Sequence, residues 1–171
     1  MGELVERVDE WDRVLGVVER GEAIERGWLH RVATVVCRDA RGRVLVHRRA
    51  RGMSRFPGQY NWLLGGAAAV GESYEEAAGR ELAEELGVRV PVRFVFKFLC
   101  HGVISPYWLG VHEAVIDAAA DVVGEAAIVP DPEEIDWYGW LTEGEFEDAL
   151  RRWEFVPDGV EAYRRYRALK R

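Results

Sequence analysis

Residues 66–88 of the chain read GAAAVGESYEEAAGRELAEELGV, and the second half of this stretch predicts a helix from Ser73 to Leu86. Ser73 and Glu76 have the spacing of a capping box, in which each side chain accepts a hydrogen bond from the other residue's backbone amide. Gly87 stands where a left-handed residue commonly ends a helix. An apolar stripe at i+4 spacing runs along the helix and consists of Tyr74, Ala78, Leu82 and Leu86.

Three carboxylates, Glu81, Glu84 and Glu85, lie on one side of this helix near its C-terminal end. That end carries the negative pole of the helix dipole, so each anion there is disfavoured by roughly 0.3–1 kcal/mol. Arg80 can offset only one of these charges. A bound divalent cation would remove the surplus, and hard carboxylate oxygens suit Mg²⁺ or Mn²⁺. Taken alone, however, the pattern is more typical of a solvated acidic surface.

The residues before the helix favour the metal site over the solvated surface. With Gly66 and Glu72 included, the stretch matches G-x5-E-x7-R-E-U-x-E-E-x-G-U at every fixed position, where U is a bulky aliphatic residue. From average residue usage, a chance match at a given start is on the order of one in a billion. The chain thus resembles the Nudix hydrolases. The resemblance implies an α+β fold, the Nudix-type α/β/α sandwich with a mixed β-sheet flanked by helices.

The resemblance also implies a role for each matching residue. The implied metal ligands are the carboxylates of Glu81, Glu84 and Glu85 and the backbone carbonyl of Gly66. Glu81 could instead orient or deprotonate the attacking water. Arg80 would hold a glutamate in place, and Glu72 would stabilise the loop or act through a water. The implied cofactor is Mg²⁺, with Mn²⁺ as an alternative.

Family enzymes often draw a further glutamate from outside this motif, and Glu133 and Glu134 are the candidates. We prefer Glu134, because residues 134–142 (EIDWYGWLT) resemble the corresponding family segment. The alternative, with equal weight, is that both are ordinary loop carboxylates. The general base is therefore either Glu81 or Glu134.

Basic and aromatic residues elsewhere suggest contacts to substrate. Arg48 and Arg49 follow a predicted strand and open a basic loop, and guanidinium groups suit phosphate oxygens. We expect both to bind substrate phosphate, with a solvated basic surface as the alternative. The aromatic candidates for stacking on a base are Trp62, Tyr107 and Trp108, although such residues are more often part of the core. We expect His101 and His112 to be structural.

The residues before the motif indicate a particular branch of the family. His30-Arg31 and VLVHRR at residues 44–49 resemble the branch that contains isopentenyl-diphosphate isomerase and its hydrolase-like relatives. In the isomerase a catalytic cysteine would fall at Gly65 and a metal-binding histidine at Ala67. Both are missing, so isomerase activity is a less favoured alternative and His30 is expected to be structural. The proline expected of ADP-ribose hydrolases near Gly102 is also missing, so the substrate stays open.

The remaining sequence predicts strands separated by turns, without regular alternation of strands and helices. We expect strands at residues 11–18, 30–37, 43–47, 60–64, 92–100, 107–116 and 134–140. A turn-rich stretch surrounds Gly21 and Glu22. Two C-terminal helices are expected, one at residues 142–153 and one from Asp158, as its cap, to Leu169. This order favours a mixed sheet over a doubly wound parallel one.

Composition limits the class of protein. The length of 171 residues suits a single domain over residues 1–171, and the formal net charge of -7 argues against binding a nucleic acid polymer. Cys37 and Cys100 are too few for a disulfide scaffold and fit a reducing compartment. The apolar stretches are too short to span a membrane. We therefore expect a cytoplasmic protein; its oligomeric state stays open, with a homodimer as one alternative.

The leading functional hypothesis is a Mg²⁺-dependent hydrolase that acts on a small phosphorylated substrate. It would cleave the diphosphate bond of a nucleoside diphosphate linked to another moiety, by attack of a metal-activated water. The rival hypothesis is a non-catalytic Nudix ligand-binding or sensor module. Such modules usually lack some of the motif's glutamates, and all of them are present here.

Overall fold

The architecture is a seven-stranded mixed sheet with helices on both faces and a separate two-stranded hairpin, in a computed structural model that describes residues 2–117 and 128–170. Its elements in chain order are β1 (Leu4–Val8), β2 (Val14–Glu19), α1 (Arg20–Arg26), β3 (Arg31–Arg38), β4 (Val44–Arg49), β5 (Tyr60–Asn61), β6 (Leu63–Ala67), α2 (Tyr74–Leu86), β7 (Arg93–Cys100), β8 (Tyr107–Val115), β9 (Ile135–Leu141), α3 (Glu143–Arg152) and α4 (Pro157–Leu169).

Strand β3 lies at the centre of the sheet. It pairs in parallel with β8 and antiparallel with β6, and it meets β4 at a single pair, Arg38 with Val44. Strand β4 continues the sheet through antiparallel pairing with β5 and β9, and β7 pairs with β8 at the other side. The sheet is therefore mixed, as the irregular order of elements predicted.

Alternation along β3 divides the core into two apolar layers. Ala33, Val35 and Cys37 pack with α2, whereas Val36 packs on the opposite face with α3 and α4. Successive side chains of a strand point to opposite faces, so each face is covered by its own helix layer. Trp62 is fully buried in the α3–α4 layer. This is the predicted α/β/α sandwich, and the expected fold class is confirmed.

Helix α2 has both predicted ends. The Ser73 hydroxyl accepts a hydrogen bond from the Glu76 amide at 3.1 Å, and the Glu76 carboxylate accepts one from the Ser73 amide at 3.3 Å. Gly87 ends the helix at φ 67°. The apolar stripe is buried except for Tyr74, which is half-buried. On the acidic side of the helix, the Glu81 carboxylate lies against Gly66 of β6, and the Asp131 amide in the loop before β9 donates to the Glu85 carbonyl.

Several elements differ from the sequence-based expectations. The strand expected at residues 11–18 begins later, as β2 at Val14–Glu19, and it pairs with β1, which the sequence analysis did not predict; the turn between them includes Asp12 at φ 62°. The strand expected at residues 60–64 is divided into β5 and β6. Helix α1 occupies the stretch expected to be turns. Helix α4 begins at Pro157 with Val156 as N-cap, so the expected cap at Asp158 is wrong; proline is favoured in the first turn because it needs no amide donor there.

None of the helices in residues 2–117 and 128–170 is both long and apolar enough to cross a membrane.

Candidate active site

Five glutamates line one cavity of about 690 Å³; one is Glu3, next to β1, and the other four come from two parts of the chain that the sequence singled out. Helix α2 contributes Glu81, Glu84 and Glu85, and the loop before β9 contributes Glu134. The Asp131 amide donates a hydrogen bond to the Glu85 carbonyl at 2.9 Å, which joins this loop to the end of α2. The structure thus brings together the acidic residues that the sequence selected. The alternative candidate, Glu133, is exposed and is absent from the cavity wall.

Burial perturbs these carboxyl groups. It raises the pKa of Glu85 well above its ordinary value, and the nearby charges of Glu134 and Glu81 raise it further. Burial also raises the pKa of Glu81, against the opposing effect of Arg80. The pKa of Glu134 is raised first by burial and then by repulsion from Asp131. The cavity therefore disfavours negative charge at this end unless a cation is present.

One carboxylate oxygen of this cluster has no hydrogen-bond partner among the described residues. The Oε2 atom of Glu85 is shielded from solvent and accepts no hydrogen bond within the described chain. The described residues contain no preassembled group of three or more acidic, histidine or cysteine side chains at metal-binding distances. The donor chemistry nevertheless fits a hard divalent cation, because the available donors are oxygens and one of them is buried and unpaired.

Arg80 donates hydrogen bonds to three glutamates of the motif and to one backbone carbonyl. Its Nε and Nη2 atoms donate to the two carboxylate oxygens of Glu72 at 2.8 and 3.0 Å, and Nη2 also donates to the Ala67 carbonyl at 3.1 Å. Its Nη1 atom donates to Glu81 at 3.0 Å and to Glu84 at 3.2 Å. Hydrogen bonding to Arg80 lowers the pKa of Glu72. Arg80 therefore connects the loop before α2 to the acidic side of the helix, while Glu72 lies outside the cavity wall.

Both glycines of β6 are closely packed, Gly66 against a side chain and Gly65 against backbone. A Cβ atom at Gly66 would lie 2.7 Å from Oε1 of Glu81, so only glycine lets this carboxylate lie against the strand. A Cβ atom at Gly65 would overlap the carbonyl oxygen of Ala33 on β3. The position where the isomerase would carry its cysteine therefore cannot accept a side chain in this arrangement of strands.

Arginines form a second, basic part of the same cavity. Arg49 lines it and donates from Nε to the Arg55 carbonyl at 2.9 Å, and burial lowers the pKa of Arg49. Arg55 and Arg20 also line the cavity, and Arg20 has a buried Nε without a partner among the described residues. Burial and repulsion from Arg20 lower the pKa of Arg55. Arg20 pairs with Glu3 at 3.6 Å, whereas Arg49 and Arg55 form no ion pair among the described residues. Cations without an ion-pair partner fit an anionic ligand.

The structure does not bring Arg48 into this cavity. Its Nε atom donates to Asp136 at 2.6 Å, and its guanidinium lies over the Tyr60 ring at 6.0 Å from the centroid. Both arginines belong to β4, so adjacent residues project to opposite faces of the sheet and only Arg49 faces the glutamates. The sequence analysis did not identify Arg20 as a site residue. Arg20 begins α1, a short helix whose N-terminus has no side-chain cap, so the sequence carries no signal for this helix.

Two neutral histidines complete the wall. Burial, together with the charges of neighbouring arginines, lowers the pKa of His30 to about 4 and that of His47 to about 3. Both line the cavity; the structural role expected for His30 stays a prediction, and His47 was not singled out from the sequence. By contrast, His112 is buried with Nδ1 2.9 Å from the Thr34 carbonyl oxygen, which fits its expected structural role. His101 is exposed and lies outside the wall.

Of the three aromatic residues considered for stacking on a base, two lie outside the cavity wall. Trp62 belongs to the core and donates from Nε1 to the Gly159 carbonyl at 2.8 Å. Trp108 donates to the Asp9 carbonyl at 3.0 Å and lies outside the cavity wall. Only Tyr107 lines the cavity.

Comparisons with known proteins agree with this geometry. The model of the NUDIX domain family matches residues 28–163. An uncharacterized Nudix hydrolase of Streptomyces coelicolor is 44% identical over 169 residues, which cover 97% of this chain and 89% of that protein. A crystal structure of the Deinococcus radiodurans protein DR0079 superposes with a TM-score of 0.77 at 27% identity, covering 95% of this chain and 98% of that one.

Two further relatives match over about half of their length. A prenyl-diphosphate phosphatase of Methanosarcina mazei is 35% identical over 97 residues, 57% of this chain and 56% of that protein. An isopentenyl-diphosphate isomerase of Nocardia farcinica is 46% identical over 85 residues, 49% of each. The relation to the isomerase branch, inferred from the N-terminal residues, is thereby confirmed. Since the family model spans most of the chain, and the Streptomyces relative aligns over 97% of it, this chain belongs to the Nudix family.

Proposed function

We propose that this protein is a Mg²⁺-dependent hydrolase, with Mn²⁺ as an alternative ion, that cleaves the diphosphate bond of a nucleoside diphosphate linked to another moiety. The observation that carries the proposal is one cavity that holds an acidic cluster, with a buried and unpaired Glu85 oxygen, beside two arginines, Arg49 and Arg55, that form no ion pair among the described residues. A diphosphate bound by divalent cations needs both kinds of group. The complete set of motif glutamates supports this function over the sensor alternative.

Each residue has a distinct proposed task. Glu81, Glu84 and Glu85 would hold the ion, with the Gly66 carbonyl as a further donor. When bound, the ion would neutralise phosphate charge and lower the pKa of a water molecule. Glu134 would accept the proton from the attacking water. Arg80 would keep Glu81 and Glu84 in place, and Glu72 would fix Arg80.

Phosphate binding is assigned to the basic part of the cavity. Arg49, Arg55 and Arg20 would bind the phosphate oxygens, and the neutral His30 and His47 would add no positive charge. A cytoplasmic location is part of the same proposal, supported by the free cysteines Cys37 and Cys100.

The direct test is a product assay on the purified chain. We expect Mg²⁺-dependent release of a phosphorylated product from at least one sugar nucleotide or dinucleotide, and complete loss of this activity with a chelator. Nucleoside triphosphates and prenyl diphosphates belong in the same screen. Stoichiometric binding of these compounds without turnover, with Mg²⁺ or Mn²⁺ present, would support the sensor alternative instead.

Arg49→Ala should raise KM more than it lowers kcat, because a phosphate contact that is equal in the ground and transition states changes binding alone. The neighbouring Arg48→Ala is the matched control, since Arg48 pairs with Asp136 outside the cavity. We expect a KM increase of about tenfold for Arg49→Ala, the size of one charged hydrogen bond, and wild-type kinetics for Arg48→Ala. Steady-state kinetics of both variants would refute the assignment if their KM values were equal.

A further inference from the structure

A carboxylate lies in the cavity wall at a place that the hydrolytic chemistry does not use. Asp158, in the first turn of α4, lines the cavity together with Tyr107 at the start of β8. The Tyr107 hydroxyl donates to Oδ2 of Asp158 at 2.5 Å. No other described residue donates a hydrogen bond to this carboxylate or pairs with it. Asp158 is therefore held in place through one oxygen while its other oxygen stays free to accept.

An amide group stands beside this carboxylate. The Oδ1 atom of Asn61 accepts hydrogen bonds from the backbone amides of Trp62 at 2.9 Å and Leu63 at 3.3 Å, which fixes the orientation of the side chain. A Cβ atom at Gly159 would overlap this Oδ1 atom, so Asn61 packs directly against the residue that follows Asp158. The Nδ2 atom of Asn61 has no partner in the described chain. The wall thus offers an acceptor and a donor side by side.

A series of neighbouring residues connects this wall to the glutamates. Arg49 interacts with the charges of Glu85 and Glu134, and its Nε atom donates to the Arg55 carbonyl. Arg55 is near Arg20, and both are near His30. The His30 ring lies 6.2 Å from the Tyr107 ring, and Tyr107 bonds Asp158. In this series the arginines come between the acidic cluster and the Tyr107–Asp158 pair.

This order assigns different parts of a substrate to different parts of the cavity. Phosphate groups belong between the glutamates and the arginines, because the negative charge of Asp158 repels them. The group that reaches Asp158 is then the non-phosphate part of the substrate. A hydrocarbon chain there would strip water from the carboxylate without replacing its hydrogen bonds, which is costly. A hydroxyl group both donates to Asp158 and accepts from Asn61.

We propose that Asp158, held by Tyr107 and flanked by Asn61, is the specificity-determining residue of this cavity. It accepts a hydrogen bond from a hydroxyl group on the non-phosphate moiety and so selects a ribose- or sugar-bearing diphosphate over a prenyl diphosphate. The inference rests on the proposed function and extends it, since a prenyl-diphosphate phosphatase is among the relatives of this chain.

The test compares two substrates across variants. We would measure kcat/KM for ADP-ribose and for geranyl diphosphate in the wild type, in Asp158→Leu and in Asp158→Asn. We expect Asp158→Leu to lose about 10- to 100-fold with ADP-ribose, the usual effect of one charged hydrogen bond. Its kcat/KM with geranyl diphosphate should be unchanged or higher. Asp158→Asn keeps one acceptor oxygen and should fall between. Asp148→Asn, at an exposed position of α3 outside the cavity, is the control.

The possible failures are distinguishable. If the wild type hydrolyses neither substrate class with Mg²⁺, the proposed function fails and this inference fails with it. If the wild type is active but Asp158→Leu changes both substrates by the same factor, the inference alone is wrong and Asp158 is structural. Should Asp158→Leu not fold, Tyr107→Phe serves instead, because it releases the carboxylate without removing it. We expect that variant to lose kcat/KM with ADP-ribose only, and an equal loss with both substrates would overturn the inference.

Discussion

Glu85→Gln is expected to lower kcat about a hundredfold or more at saturating Mg²⁺, since the loss of a metal ligand removes several kcal/mol of transition-state stabilisation. Glu84→Gln should have a similar effect. The reason for placing Glu85 first is its buried and unpaired Oε2 atom, which no other described group satisfies. Steady-state rates across a Mg²⁺ titration measure the effect. Glu75→Gln, an exposed position on the same helix, is the matched control. Full activity of both motif variants would refute the metal-ligand assignment.

The same substitution should have the opposite effect on the stability of the metal-free protein. Burial raises the pKa of Glu85 above its value in the unfolded chain, so the protonated form stabilises the fold. This contribution is present below the unfolded pKa and is lost as the pH rises through the folded pKa. In chelator at neutral pH, Glu85→Gln should therefore melt at the same temperature as the wild type or higher, by about 2–4 °C for each kcal/mol gained.

Melting curves of both proteins at pH 5 and pH 8 test this sign. The wild type should lose more stability than Glu85→Gln between the two pH values, because only the wild type must ionise the buried carboxyl group. A clear drop in the melting temperature of the metal-free variant at pH 8 would mean instead that Glu85 is a structural ion-pair partner.

Glu134→Gln is expected to lower kcat by roughly 10²–10⁴-fold, the usual contribution of a general base. Carboxylates that share a cation have lowered pKa values and are weaker bases. Glu134 comes from a separate loop, and burial and repulsion from Asp131 raise its pKa. We therefore expect Glu134 to be a better proton acceptor than the glutamates of α2 when those glutamates hold the ion. Glu133→Gln, the exposed neighbour, should keep the wild-type rate. If Glu134→Gln also keeps it, the base is elsewhere, and Glu81 is the next candidate.

The part of the site that the sequence predicts is the part built by local periodicity. The capping box and Gly87 determine where α2 begins and ends, and helical spacing then puts Glu81, Glu84 and Glu85 on one side. Strand alternation could also have separated Arg48 from Arg49. We treated both as the opening of a loop, although β4 extends through Arg49. Their side chains therefore project to opposite faces.

The rest depends on contacts between distant residues, which no local pattern encodes. Arg20 reaches the cavity only because the β1–β2 hairpin and α1 fold against the sheet. That hairpin is hard to recognise, since Val14, Leu15 and Val17 of β2 are 49%, 59% and 54% exposed and show no alternation. Tyr107 and Asp158 are 51 positions apart in the chain and meet only across β8 and α4.

The most direct measurement for the metal centre is calorimetric titration of Mg²⁺ and Mn²⁺ into the metal-free wild type, Glu85→Gln and Glu134→Gln. The orphaned oxygen of Glu85 predicts that Glu85→Gln binds the ion at least about tenfold more weakly than the wild type. Glu134→Gln should bind it nearly as well as the wild type while losing its activity. Equal affinity of the wild type and Glu85→Gln for both ions would contradict the assignment of the acidic side of α2 as the metal-binding centre.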